Sequence, residues 1–139
     1  MATRELTRRG MTVQDVMHAG VLTCRRGASL RTVAEIMAGH RVHCVVVRDD
    51  DDGESGVWGL VSDLDLMAAA IARPLDEQTA EGSAATPTVL VSPDESLDRA
   101  AQLMTEHATA HLLVVAEHGR RPIGVISTLD VAEALADSG

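Results

Sequence analysis

Gly59-Leu60-Val61-Ser62-Asp63-Leu64-Asp65 returns later in the chain as Gly124-Val125-Ile126-Ser127-Thr128-Leu129-Asp130. Both stretches run from a glycine through two apolar residues into Ser-x-x-Asp. The echo extends upstream, where Ser29-Leu30, Ala34, Met37 and His40 come back as Ser96-Leu97, Ala101, Met104 and His107. Each half keeps the same order of apolar runs and turn residues, which makes the chain two copies of one small unit. A pseudo-twofold domain follows, with a duplicated site expected in the cleft between its halves.

Working outward from each motif, the elements fall into place. Ser62 and Ser127 cap helices running through Leu64–Ile71 and Leu129–Leu135. The strands leading into them, Val57–Val61 and Pro122–Ile126, each pair back onto a β-branched or leucine-rich run, Val42–Val47 and His111–Val115. The hairpin tips are Asp49–Gly56 and Glu117–Arg121. Before these runs, Ser29 and Ser96 cap helices with apolar residues at helical spacing, the first stopped by Gly39. Short strands, Val21–Cys24 and Val89–Val91, precede them. Thr12 caps a lead-in helix, Val13–Met17, whose second copy at Thr79–Ala85 is degraded. The fold class is α/β (α+β), two β-α-β-β-α repeats. Residues 1–10 form a flexible arm, 11–72 the first repeat, 73–85 a linker with the degraded lead-in, and 86–139 the second repeat.

Composition narrows the function. The chain has 139 residues, 45% hydrophobic and 24% charged, which suits one globular domain with a real core. Its formal charge of −9 opposes nucleic-acid binding, since phosphate neutralisation drives that affinity. One tryptophan and no tyrosine or phenylalanine leave no aromatic platform for stacking bases. No apolar run reaches the roughly 20 residues of a membrane span, and no secretory signal opens the chain. Cys24 and Cys44 match no zinc or redox spacing and read as reduced core thiols of a cytoplasmic protein, with a lone disulfide as the alternative. No nucleophile–base motif, phosphate-binding glycine loop or zinc-protease helix is present, so the chain reads as a non-enzyme with no catalytic residues.

The element order and the doubled Gly-apolar-apolar-Ser-x-x-Asp signature resemble the cystathionine β-synthase (CBS) domain pair, or Bateman module, from about Thr12 to Ala136. The resemblance implies a regulatory, ligand-sensing module of the stand-alone prokaryotic type. Such modules bind an adenosine-containing small molecule between the repeats and pass the signal to a partner. It also implies a homodimer, an unidentified regulated protein, and no required cofactor. The AMP/ADP class and S-adenosylmethionine are favoured over ATP, because neither motif carries a cation. A triphosphate would need Mg²⁺ or the pairs Arg25-Arg26 and Arg120-Arg121.

The resemblance also assigns roles to residues. Ser62 and Ser127, at helix N-termini, meet phosphate or sugar, and Asp65 and Asp130 take the ribose hydroxyls. The same Ser-x-x-Asp is a capping box, which starts a helix with no ligand at all. His43 and His111, at the entries of the central strands, are candidates for phosphate contact. Leu22, Thr23, Val89, Leu90, Val45 and Leu113 are candidates for the adenine walls. The family often has proline where Val45 and Leu113 stand. Metal binding is not expected, because His40-x-x-His43 and His107-x-x-x-His111 each span a helix end, a loop and a strand. The alternative to a sensor is a protein-interaction module whose clefts are empty.

Overall fold

The spacing Leu30-Val33-Met37 returns as Leu97-Ala100-Met104, and in the computed structural model each triplet is the buried face of an 11-residue helix. The structure describes residues 10–49, 56–86, 88–116 and 121–137. In chain order the elements are α1 (Val13–Val16), β1 (His18–Ala19), β2 (Thr23–Arg25), α2 (Leu30–His40), β3 (Cys44–Arg48), β4 (Val57–Ser62) and α3 (Asp63–Ala72). A 3₁₀ turn (Leu75–Glu77) and α4 (Ala80–Ser83) follow. Then come β5 (Leu90–Val91), α5 (Leu97–His107), β6 (His111–Val115), β7 (Pro122–Ser127) and α6 (Thr128–Asp137). The chain is therefore a mixed α/β structure with two repeats of strand and helix.

The chain divides into two compact units that do not coincide with the sequence repeats. One unit is Val21–Thr88; the other joins the segment ending at Gly20 to Val89–Gly139. The lead-in of each repeat is exchanged: α1 and β1 fold with the second repeat, and α4 folds with the first. Residues 73–85, read from the sequence as linker and degraded lead-in, thus carry the 3₁₀ turn and α4.

In the Val21–Thr88 unit the sheet order is β2-β3-β4, parallel then antiparallel. Ala85 adds an isolated antiparallel bridge to Leu60 on the free edge of β4. The core comprises Cys24, Leu30, Val33, Met37, Val45, Val47, Val61, Ala69 and Ala80. Backbone bonds from Leu30 N–H to Gln78, Ala80 N–H to Ala28 and Glu81 N–H to Arg26 tie the exchanged segment in. The Arg26 guanidinium lies 3.9 Å from the Trp58 ring centre and pairs with Glu81 (2.8 Å) and Asp49 (3.3 Å).

In the other unit the sheet order is β1-β7-β6-β5. Here the exchanged lead-in is a true edge strand, with His18 opposite Val125 and Ala19 opposite Gly124. Val13 is fully buried among Val91, Leu97, Leu112, Val114, Ile126 and Val131. Thr12 and Asp15 form a capping box that starts α1.

Gly39 does not end α2, contrary to the sequence expectation. The helix continues to His40, and Arg41 takes the left-handed conformation, φ 55°. Ala108 does the same after α5, φ 50°. In both, the next N–H closes back five residues, Val42 to Met37 O (3.1 Å) and Thr109 to Met104 O (3.0 Å), which satisfies carbonyls of the last turn. The hairpin tips predicted at Asp49–Gly56 and Glu117–Arg121 lie largely outside the described residues, apart from the closing bonds from Asp49 N–H to Gly56 O (3.1 Å) and from Ala116 N–H to Arg121 O (2.9 Å).

Candidate functional site

Each Ser-x-x-Asp closes a strand and opens a helix, and the backbone geometry of that junction builds a capping box. In the first, Ser62 N–H and Oγ–H both donate to Asp65 Oδ2 (2.9 Å each), and Asp65 N–H donates to Ser62 Oγ (3.2 Å). In the second, Ser127 N–H donates to Asp130 Oδ2 (2.8 Å) and Asp130 N–H to Ser127 Oγ (3.2 Å). The box uses one oxygen of each carboxylate and leaves Oδ1 for something else. Among the described residues no hydrogen bond reaches Oδ1 of Asp65, which is half-buried. Oδ1 of Asp130 lies 3.0 Å from His18 Nε2, and that carboxylate side chain is only 4% exposed.

The glycine that opens each motif has a steric cause. A Cβ on Gly59 would stand 2.5 Å from Ala85 O, and one on Gly124 would stand 2.6 Å from His18 O. In both units the backbone of the exchanged lead-in crosses directly over the glycine. His18 and Ala85 therefore occupy corresponding positions, as do Met17 and Ala84, which face the same two glycines.

Strand register places the remaining candidates. Cys44 is opposite Ser62, and His111 is opposite Ser127. Asp63 N–H bonds to His43 O (2.9 Å), and Thr128 N–H bonds to Ala110 O (3.0 Å). His43 thus corresponds to Ala110, and His111 to Cys44; the two histidines are not equivalent. His43 is exposed just before β3, with Nδ1 3.0 Å from Asp63 Oδ2. His111 is half-buried and opens β6.

The same shift applies to the apolar candidates. Val45 belongs to the core face of β3, and the position matching Leu113 is Val46. Thr23, Val46 and Leu60 are aligned across one sheet, and Leu90, Leu113 and Val125 across the other. Val46 and Leu113 are buried but belong to neither apolar core cluster. Leu22 and Val89 are half-buried and accept from Val46 N–H (2.9 Å) and Leu113 N–H (3.0 Å), whereas Thr23 and Leu90 are exposed. A ring lying on this face would meet aliphatic side chains from two or three strands.

Electrostatics limit the chemistry. Arg26 is committed to Glu81, Asp49 and Trp58, so it is not available to neutralise a triphosphate; Arg120 lies outside the described residues. Burial, and then the nearby Asp63 carboxylate, push the Cys44 thiol up to about 11, and burial raises Cys24 against the opposing charge of Arg48. Both thiols are free, and at neutral pH both are protonated and poorly nucleophilic. Among the described residues no group of three or more His, Cys, Asp or Glu side chains could hold a metal ion. Among them, too, no helix is long and apolar enough to cross a membrane.

Sequence reasoning missed His18. Its only signal was its place two residues before Gly20, at the end of a lead-in that had been assigned to the first repeat.

The comparisons agree with this architecture. The family model described as CBS domain matches twice, over residues 13–72 and 84–137. The CBS domain-containing protein YhcV of Bacillus subtilis (strain 168) is 28% identical over 123 residues, covering 87% of this chain and 83% of that protein. The crystal structure of the CBS domain pair of protein MJ0100, in complex with 5′-methylthioadenosine and S-adenosyl-L-methionine, matches with TM-score 0.79 at 20% identity. That match covers 91% of this chain and 97% of that one. The crystal structure of CBSX2 in complex with AMP matches with TM-score 0.72 at 23% identity, covering 92% and 98%.

Proposed function

This chain belongs to the CBS domain family, and on that footing we propose that it is a regulatory module sensing an adenosine-containing small molecule. The observation that carries the reading is the carboxylate left over by the capping box. Asp65 holds one oxygen in the cap and keeps Oδ1 without a partner among the described residues, at the N-terminus of the 10-residue helix α3. A carboxylate so fixed accepts a ribose hydroxyl with little reorganisation, and the helix N-terminus beside it favours phosphate. MJ0100 and CBSX2, of like fold, bind 5′-methylthioadenosine, S-adenosyl-L-methionine and AMP, which supports the same ligand class here. The commitment of Arg26 favours AMP, ADP or a sulfonium over a triphosphate. No catalytic step and no required cofactor are assigned. The module acts in the cytoplasm and relays ligand occupancy to a protein partner.

The test is thermal melting against AMP, ADP, ATP, S-adenosylmethionine and NAD, with and without Mg²⁺. A ligand that binds only the folded state adds about 2.7 kcal/mol of stability at one hundred times its Kd. The expected result is a rise with one adenosine ligand that Asp65→Asn removes. No rise at millimolar concentration overturns the reading.

A second reading, a protein-interaction module without ligand, is favoured by one observation. Leu64, Met67 and Ile71 recur at helical spacing on α3 and are 69%, 55% and 89% exposed. A contiguous apolar stripe of this kind marks a protein–protein surface. In the ligand-sensing reading a second copy of the chain covers it.

A further inference from the structure

The two motifs differ in what the exchanged lead-in places over the aspartate. Over Gly124 it places His18, whose Nε2 stands 3.0 Å from the Oδ1 that the capping box leaves over on Asp130. Over Gly59 the same position is Ala85, which has no side chain to reach Asp65. We propose that His18 is a built-in competitor for the ribose carboxylate of the second motif, so that the chain has two unequal sites and fills Asp65 first. The inference rests on the adenosine reading above and adds to it which site responds and what restrains the other.

The chemistry is direct. A ribose offers two adjacent hydroxyls, and a capped aspartate has one oxygen left with which to accept from them. Asp130 presents one oxygen to the cap and the other to an imidazole, and its side chain is 4% exposed. The imidazole is 80% exposed, and among the described residues its one polar contact is that carboxylate, so it can be swung aside. A hydrogen bond that replaces one made to water is worth about 1 kcal/mol net, which sets the handicap at about fivefold in affinity. His18 therefore weakens the site without abolishing it. The two sites fill in sequence as ligand concentration rises.

Amide spectra of the ¹⁵N-labelled chain, titrated with AMP and in parallel with S-adenosylmethionine, read the two motifs separately through the N–H groups of Asp65 and Asp130. In the wild-type chain the Asp65 signal should saturate at lower ligand concentration than that of Asp130. His18→Ala, a change at an exposed side chain, should move the Asp130 curve to lower concentration by about fivefold and leave the Asp65 curve in place. Asp65→Asn should remove the tighter response and keep the weaker one. Asp130 saturating with or before Asp65, or an Asp130 curve that weakens or stays put in His18→Ala, overturns the inequality while leaving the adenosine reading intact. Silence at both amides with both probes at millimolar concentration overturns that reading, and the inference with it.

Discussion

At the scale of the residue, the doubled signature is a list of steric and hydrogen-bonding demands. Gly59 and Gly124 are glycines because a carbonyl passes where a Cβ would sit. Gly59→Ala and Gly124→Ala should each lower stability by about 1–3 kcal/mol in urea unfolding, the usual penalty for overpacking. The thiol of Cys44 gives a pH dependence. Its ordinary value of 9.0 applies to the unfolded chain, and the folded value is about 11. Folding therefore holds a proton that the unfolded chain releases, and this contribution is complete below pH 9 and lost as pH rises through about 11. The chain has no lysine or tyrosine to obscure that window. The urea midpoint should fall between pH 8.5 and 11, and Cys44→Ala should flatten the fall. The serines and aspartates of the motifs were legible in the sequence because a capping box has a fixed spacing. The pairing of His43 with His111 was not, because one residue of slip reverses the face of a strand and no local spacing records the slip. Only the ladder, with Cys44 opposite Ser62 and His111 opposite Ser127, fixes it.

At the scale of the element, helix starts were easier to read than helix ends. Ser29, Ser62, Ser96 and Ser127 each cap the helix that the sequence assigned to them. The ends misled because glycine suggests a stop, yet Gly39 lies inside α2 and the left-handed residues are Arg41 and Ala108. The closing bonds to Met37 and Met104 at the helix ends hold that conformation on residues whose side chains disfavour it. Ala108→Gly should therefore stabilise the fold by about 0.5–1 kcal/mol, once the extra freedom of the unfolded glycine is subtracted, and raise the melting temperature. A lower melting temperature would mean that the left-handed turn carries no strain. On α3, Ile71→Glu should leave the stability of the single chain within about 0.5 kcal/mol, since the side chain is 89% exposed, and, on the proposal that a second copy covers this stripe, should lower the mass seen by light scattering to that of a monomer.

At the scale of the whole molecule, the repeat was legible but the exchange of lead-ins was not. Periodicity shows that two copies exist; it does not show which strand edge each lead-in completes. That choice is made by burial, with Val13 packed among Leu97, Leu112 and Ile126, and Ala80 among Leu30, Val45 and Val61. A fragment of residues 21–88 holds every element of its unit and should melt cooperatively. A fragment of residues 11–72, the repeat as the sequence draws it, lacks Ala80 and the segment over Gly59 and should not. Circular dichroism melts of the two decide, and cooperative melting of the second alone would count against the exchange. A lone repeat of this kind could complete its sheet in the same way with a lead-in borrowed from an identical sister chain. With both copies in one chain each exchanged arm can differ from the other, and a histidine in one with an alanine in the other is a difference that a pair of identical repeats could not hold.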